Sequence, residues 1–232
     1  MTITLIFIGL TVVSYLMGSA NGAIIVSKIY NKGDIRDYGS GNAGSTNVLR
    51  SVGKSAALFT FIFDILKGVL AVVLAILVLN FCIEDGSSKQ ELINIGKNLA
   101  GVAAVMGHVF PVFYGFKGGK GVATSAAVIG AIDWRVLIFV LLVFIISFAI
   151  KKIVSLSSML GAITYPIATF FITYFFDLKI NESDSKGFVS MEYLIFVTII
   201  SSALGAFVVI KHKDNIKRLL KGEEKAIIGK NK

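Results

Sequence analysis

A chain of 232 residues that is 55% hydrophobic and only 16% charged is not an ordinary soluble domain, because such domains carry about 25% charged residues. Its net charge of +9 would suit nucleic acid, but the basic residues flank long apolar runs, the pattern that fixes orientation in a bilayer. The single cysteine, Cys82, leaves no intramolecular disulfide and no thiolate metal cluster.

In chain order, residues 4–26 form a first apolar run, long enough for the roughly 20 residues that cross a bilayer. No Lys or Arg precedes Lys28, so this run lacks the basic start of a signal peptide and reads as a retained span. Its end, Gly18-Ser19-Ala20-Asn21-Gly22, is small and polar, which predicts close helix contact. A hydrophilic loop over 28–54 follows. Residues 55–80 are a second span holding Asp64 and Lys67, which share one helical face. Ionisable groups at this depth face the bundle interior. A structural ion pair is favoured, with an anion-holding Lys67 as the sharper alternative.

Residues 81–94 read as a short acidic-leaning loop, and 95–114 as a third span with Lys97 and His108. A second glycine loop, Phe116-Lys117-Gly118-Gly119-Lys120-Gly121, comes next. Residues 122–150 are apolar but interrupted by Asp133-Trp134-Arg135. Residues 155–176 form a span with Pro166 inside it, a predicted kink. A polar loop over 177–190, a last span over 191–210 and a basic tail complete the chain.

Charge parity decides how residues 122–150 cross. The loop with Lys28, Lys32, Arg36, Arg50 and Lys54 belongs on the cytoplasmic side, and so does the tail. One long helix gives six crossings and strands one of the two outside. Two short helices turning at Asp133 give seven, with Trp134 at the outer interface; a re-entrant hairpin keeps the same parity. The expected fold is therefore all-α, a polytopic membrane protein of seven transmembrane helices, two of them short. Its N-terminus is outside and its C-terminus cytoplasmic. Three polar segments then reach the cytoplasmic face and can converge there.

The chemistry sits in those segments. Tyr38-Gly39-Ser40-Gly41-Asn42-Ala43-Gly44-Ser45-Thr46-Asn47 is a glycine-rich island in which three glycines let the backbone curl and expose N–H groups. Ser40, Asn42, Ser45, Thr46 and Asn47 add hydroxyls and amides, and Arg50 adds a charged fork suited to phosphate or carboxylate. Neither this loop nor Lys117–Gly121 has the spacing of a nucleotide-binding Walker loop, but backbone amides with Lys117 or Lys120 can still bind phosphate. In the tail, His212, Asn215 and Arg218 fall on one helical face. That pattern exceeds what a basic lipid anchor needs. Two histidines without a carboxylate cluster give no metal signal.

Together these motifs resemble one family. Gly39 to Asn47 is the first, and Gly107-His108-Val109-Phe110-Pro111 with Phe116 to Thr124 is the second. His212-x-x-Asn215-Ile216-x-Arg218-Leu219 with Gly222-x-Glu224 is the third. In this order they resemble the bacterial membrane acyl-phosphate:glycerol-3-phosphate acyltransferases, the PlsY family, over essentially the whole chain. Asp64-Ile65-Leu66-Lys67-Gly68 also resembles the family's second helix. Two positions depart from the pattern. Gly18-Ser19-Ala20-Asn21 stands where the family has Gly-Ser-x-Pro, and Gly222-Glu223-Glu224-Lys225 stands where it has Gly-x-Glu-Pro-Lys.

The resemblance implies a single membrane-embedded acyltransferase domain over 1–232, in a bacterial inner membrane with its site facing the cytoplasm. It implies transfer of a fatty acyl group from acyl phosphate to the 1-hydroxyl of sn-glycerol 3-phosphate, giving lysophosphatidic acid and phosphate. This is the first acylation of phospholipid synthesis. No cofactor and no metal is expected, the partners are the two substrates and membrane lipid, not nucleic acid, and the chain is expected to be a monomer. The expected catalytic group is Ser40, Arg50, Lys120, His212 and Asn215. Substrate and phosphate binding falls to Gly41, Asn42, Gly44, Ser45, Thr46, Asn47, Lys67, His108, Lys117, Gly118, Gly119, Arg218 and Glu224. His212 or His108 can serve as base, but the family suggests that the donor's own phosphate takes the proton. An organic-anion transporter would also tolerate buried lysines, yet the chain shows no internal repeat and its polar motifs lie to one side.

Overall fold

The computed structural model describes residues 3–86, 88–179, 189–224 and 226, and the described residues form helices and turns without a strand. The chain divides into two compact units, Met1–Ile132 and Asp133–Lys232. The first holds α1 (Ile3–Ser19), α2 (Gly22–Ile29), α3 (Ser45–Ser51), α4 (Lys54–Cys82), α5 (Lys89–Val109) and α6 (Val122–Ile132). Apolar residues cannot drive helices together in lipid, so close packing at small residues must do so. Added side chains show how close that packing is. A Cβ at Gly18 would strike the backbone of Ala104, one at Gly107 the backbone of Tyr15, and one at Gly68 would lie 3.1 Å from the Thr124 carbonyl oxygen. These approaches set α1 and α5 side by side and bring α6 onto α4.

The first apolar run is broken. α1 stops at Ser19, and Asn21 restarts the chain as N-cap of α2, its side chain accepting the Ile24 N–H at 3.1 Å. Asparagine is among the preferred N-cap residues, its side chain taking one of the orphan N–H groups of the first turn. The carbonyl of Ala20, freed by the break, accepts from Lys67 Nζ at 2.9 Å. A buried carbonyl without a donor would be costly in lipid. Ser19 Oγ accepts from the Val112 N–H at 3.4 Å and Tyr15 Oη donates to the Phe110 carbonyl at 2.7 Å, so the break is tied to the end of α5.

α5 begins at Lys89, so the expected loop over 81–94 is mostly helix. Its polar first turns hid it from a hydropathy reading. Asn94 and Asn98 are buried, and Asn98 Nδ2 donates to the Asn94 carbonyl at 2.8 Å. Lys97 Nζ donates to the Ile132 carbonyl at 3.2 Å and so caps the end of α6.

The second unit holds α7 (Trp134–Lys151), α8 (Val154–Ile172) continued by a π-helical segment Thr173–Lys179, α9 (Met191–Ile210) and α10 (Lys213–Leu220). The break expected within 122–150 falls at Asp133, whose carboxylate accepts the Arg135 N–H at 2.9 Å and caps α7. α7 has 18 residues and counts as long enough to cross a membrane, so of the two helices expected to be short only Val122–Ile132 is. Among the described residues six helices, α1 and α2 taken as one, are long and apolar enough to span. Arg135 also donates to both oxygens of Asp177, at 2.9 and 2.8 Å, and ties the start of α7 to the end of the π segment. Pro166 lies inside α8, which runs on past it. Most of the polar loop expected over 177–190 lies outside the described residues, as do Lys225 and the chain beyond Ala226.

Candidate active site

Within the first unit the two glycine loops meet. In the 38–47 loop, Gly39 (φ +59°) and Gly41 (φ +69°) take the left-handed conformation that only glycine adopts freely. Asn47, buried at the start of α3, knits this loop together. Its Nδ2 donates to the carbonyls of Ile35 (3.2 Å) and Tyr38 (2.9 Å), and its Oδ1 accepts the Ser40 N–H (3.0 Å). The side chain of Asn47, expected among the phosphate binders, is thereby bonded to the loop backbone. The Gly41 N–H donates to the Tyr38 carbonyl and the Gly44 N–H to the Asn42 carbonyl, each at 3.0 Å. Fewer amides point outward than the composition suggested.

The second loop follows α5. Gly118 N–H donates to the Val109 carbonyl (3.1 Å) and Gly119 N–H to the His108 carbonyl (3.2 Å), so these amides close the end of the helix. Gly119 is pressed between the loops. A Cβ there would lie 2.7 Å from the Ala43 carbonyl oxygen and would also run into His108 Nε2. Lys120 is half-buried and Lys117 exposed, while in the first loop Ser40, Gly41 and Arg50 are exposed and Asn42, Gly44, Ser45 and Thr46 half-buried.

Beneath these loops lies a buried cluster. Lys67 Nζ is 2.9 Å from Asp64 Oδ1, 2.9 Å from His108 Nδ1 and 2.9 Å from the Ala20 carbonyl oxygen. An ammonium has three donors and no acceptor; two of them go to His108 and Ala20, and its charge is paired with Asp64. Lys67 and His108, expected among the phosphate binders, are thus held by internal partners. Because Lys67 must donate to Nδ1, a neutral His108 carries its proton on Nε2, which faces Gly119 and offers no lone pair there.

In the second unit the tail motif has a centre that the sequence did not rank highly, Glu224. Gly222 (φ +70°) reverses the chain after α10, and the Glu224 carboxylate folds back onto it. Oε1 accepts from Asn215 Nδ2 (2.6 Å) and Ser155 Oγ (2.7 Å), and Oε2 accepts from Arg218 Nε (2.6 Å). Burial alone would raise the pKa of this carboxyl. The hydrogen bonds from Ser155, Arg218 and Asn215 outweigh it and hold the group below its ordinary range. Glu224, expected among the binding residues, thus has both carboxylate oxygens bonded to internal partners. His212 and Asn215 are buried, and His212 Nδ1 donates to the Val208 carbonyl at 2.8 Å. Ser155, some 70 residues before Glu224, carries no local signal that would have found it.

A polytopic helical protein with paired glycine loops beside basic side chains defines a class: a membrane protein that handles a phosphate-bearing molecule. The glycerol-3-phosphate acyltransferase family model matches residues 8–222. A glycerol-3-phosphate acyltransferase of Prochlorococcus marinus (strain MIT 9515) is 39% identical over 221 residues, covering 95% of this chain and 97% of that protein. One from Enterococcus faecalis (strain ATCC 700802 / V583) is 35% identical over 215 residues, covering 93% and 89%. Among solved structures, the glycerol 3-phosphate form of PlsY (YgiH), an integral membrane glycerol 3-phosphate acyltransferase, superposes with a TM-score of 0.72 at 33% identity and covers 96% of each chain. Its lysophosphatidic acid form gives 0.70. The chain belongs to the glycerol-3-phosphate acyltransferase family.

Proposed function

We propose that this protein transfers a fatty acyl group from acyl phosphate to the 1-hydroxyl of sn-glycerol 3-phosphate, forming lysophosphatidic acid and releasing phosphate. Besides membership of the family, one observation carries this reading. Two glycine loops far apart in sequence close on each other at Gly119 and Ala43, with Lys120, Arg50, Ser40 and Asn42 on or beside them. Solved relatives hold glycerol 3-phosphate and lysophosphatidic acid, the acceptor and product of this reaction.

Acyl phosphate is a mixed anhydride, already activated, so the protein's work is alignment and stabilisation of developing charge. The acceptor hydroxyl attacks the acyl carbon, the bond to the phosphate oxygen breaks, and phosphate leaves. Because so many loop amides are used internally, side chains take the anions: Lys120 and Arg50 as cations, with Ser40, Asn42, Ser45 and Thr46 as hydrogen-bonding groups. The neutral tautomer of His108 removes it as base. In this reading the leaving phosphate accepts the hydroxyl proton, and His212 and Asn215 position the reactants. The two units act as one domain with seven crossings. The N-terminus lies outside, and the site opens to the cytoplasm of a bacterial cell. The functional form is a monomer that needs no cofactor.

The deciding experiment is phosphate release from acyl phosphate in detergent, with and without glycerol 3-phosphate, repeated with acyl-CoA as donor. Phosphate release from acyl phosphate that depends on glycerol 3-phosphate is expected, with neither lysophosphatidic acid nor free CoA thiol formed when acyl-CoA is the donor; product formed with acyl-CoA alone would reject the acyl-phosphate donor. Lys120→Ala is expected to raise the KM for a phosphate substrate or abolish turnover, with thermal unfolding unchanged. A wild-type rate would remove Lys120 from the site. His212→Gln is expected to retain turnover, and near-normal turnover would exclude His212 as an indispensable base.

A further inference from the structure

Arg36 is outside every motif that marked the site, yet its guanidinium joins Asp34, just ahead of the first glycine loop, to the backbone of the second. Nε donates to Asp34 Oδ1 (3.0 Å) and Nη2 to Asp34 Oδ2 (2.7 Å), a bidentate pair on the approach to the 38–47 loop. Nη1 donates to the carbonyls of Tyr114 (2.7 Å) and Lys117 (3.0 Å) in the second loop. Four of the roughly five N–H donors of a guanidinium are thus spent on the protein itself.

The two carbonyls it grips flank Gly115 and Phe116, which both have positive φ, +67° and +59°. For phenylalanine that conformation costs on the order of 1 kcal/mol and persists only where the surroundings impose it. The Phe116 N–H is held by the Pro111 carbonyl at 2.9 Å, and Arg36 holds the carbonyls on either side. Asp34 in turn is fixed by capping the short turn Ile35–Asp37 through the Arg36 N–H (3.0 Å), and the hydrogen bond from Arg36 keeps its carboxyl below the ordinary range. The clamp therefore starts from a rigid, ionised anchor. It ends on the loop that carries Lys117 and Lys120.

We propose that Arg36 is a positioning residue: anchored on Asp34, it holds the 114–121 loop in register with the 38–47 loop and so sets the affinity for the phosphate of the acceptor. This role rests on the acyltransferase reading above. It needs no contact between Arg36 and substrate. Lysine cannot replace it, because one ammonium cannot serve a carboxylate and two carbonyls in the planar geometry of a guanidinium.

The test combines kinetics with hydrogen exchange on the full-length protein in detergent. Arg36→Ala is expected to raise the KM for glycerol 3-phosphate about tenfold and to lower kcat less than about threefold, with Arg36→Lys and Asp34→Asn intermediate. Amides of residues 114–121 should exchange faster in Arg36→Ala, and those of α4 at the wild-type rate. An unchanged KM, or unchanged exchange over 114–121, overturns the proposal. Faster exchange throughout α4 overturns it too, since that would be general loosening. If Arg36→Ala does not fold, Asp34→Asn decides by the same two measurements. Should the wild-type protein show no turnover of glycerol 3-phosphate, the acyltransferase reading fails while the exchange data still judge the clamp.

Discussion

Lys67→Met is expected to cost about 3–5 kcal/mol of stability, the penalty for leaving one partner of a buried ion pair uncompensated. Asp64 and Lys67 are both almost fully buried, with side-chain exposures of 2% and 5%. Methionine keeps the length and apolar stem of lysine but removes the ammonium. Three groups then lose their partner at once: the Asp64 carboxylate its counter-charge, and His108 Nδ1 and the Ala20 carbonyl at the helix break their donor. In a membrane none of them recovers water. Thermal unfolding in detergent measures the loss. The double variant Lys67→Met with Asp64→Leu separates causes, because replacing a buried pair by apolar side chains is often close to neutral. It should recover much of the stability but not the tie to Ala20, so the break between α1 and α2 should remain loosened. A Lys67→Met protein as stable as wild type would mean that the pair does not hold this helix junction together.

What could be read from the sequence followed the range over which each signal acts. Hydropathy runs found the spans. Asp133-Trp134-Arg135 marked the break after α6, because two charged side chains this close inside an apolar run need a turn that reaches water. The small residues at Gly18 to Gly22 foretold close contact, and Gly18 does sit against the Ala104 backbone. They did not foretell the break itself, which rests on a donor 47 residues away, Lys67. The start of α5 was missed because its first turns are polar and face a bundle, where a hydropathy window sees a loop. The glycine loops were legible as loops, but their amide directions were not: whether Gly118 points its N–H at a ligand or at Val109 is a question of tertiary geometry. Arg36 and Ser155 were missed for the same reason. Each acts through partners about 70 or more residues distant, and nothing in their neighbourhoods distinguishes them from an ordinary basic or hydroxyl residue.

Gly119→Ala is expected to lower activity sharply, because the added methyl group meets both the other glycine loop and the His108 ring. The new Cβ would lie 2.7 Å from the Ala43 carbonyl oxygen and would overlap the His108 ring at Nε2. Neither neighbour can yield cheaply. The carbonyl belongs to a loop fixed by Asn47, and the ring is fixed at Nδ1 by Lys67. The loop bearing Gly119 must therefore move, and with it the adjoining Lys120. A displacement of about 1 Å at a reacting centre can cost roughly 100-fold in rate, so kcat/KM for glycerol 3-phosphate should fall by about that factor. Gly9→Ala is the control, since a Cβ at Gly9 meets nothing within 4 Å, and it should behave as wild type. Combining Gly119→Ala with His108→Ala, which removes the ring, should relieve one of the two clashes and return part of the loss if spacing between the loops is what matters. A Gly119→Ala enzyme with wild-type kcat/KM would show that the meeting of these loops has no part in catalysis, and the placement of Lys120 beside the first loop would lose its functional meaning.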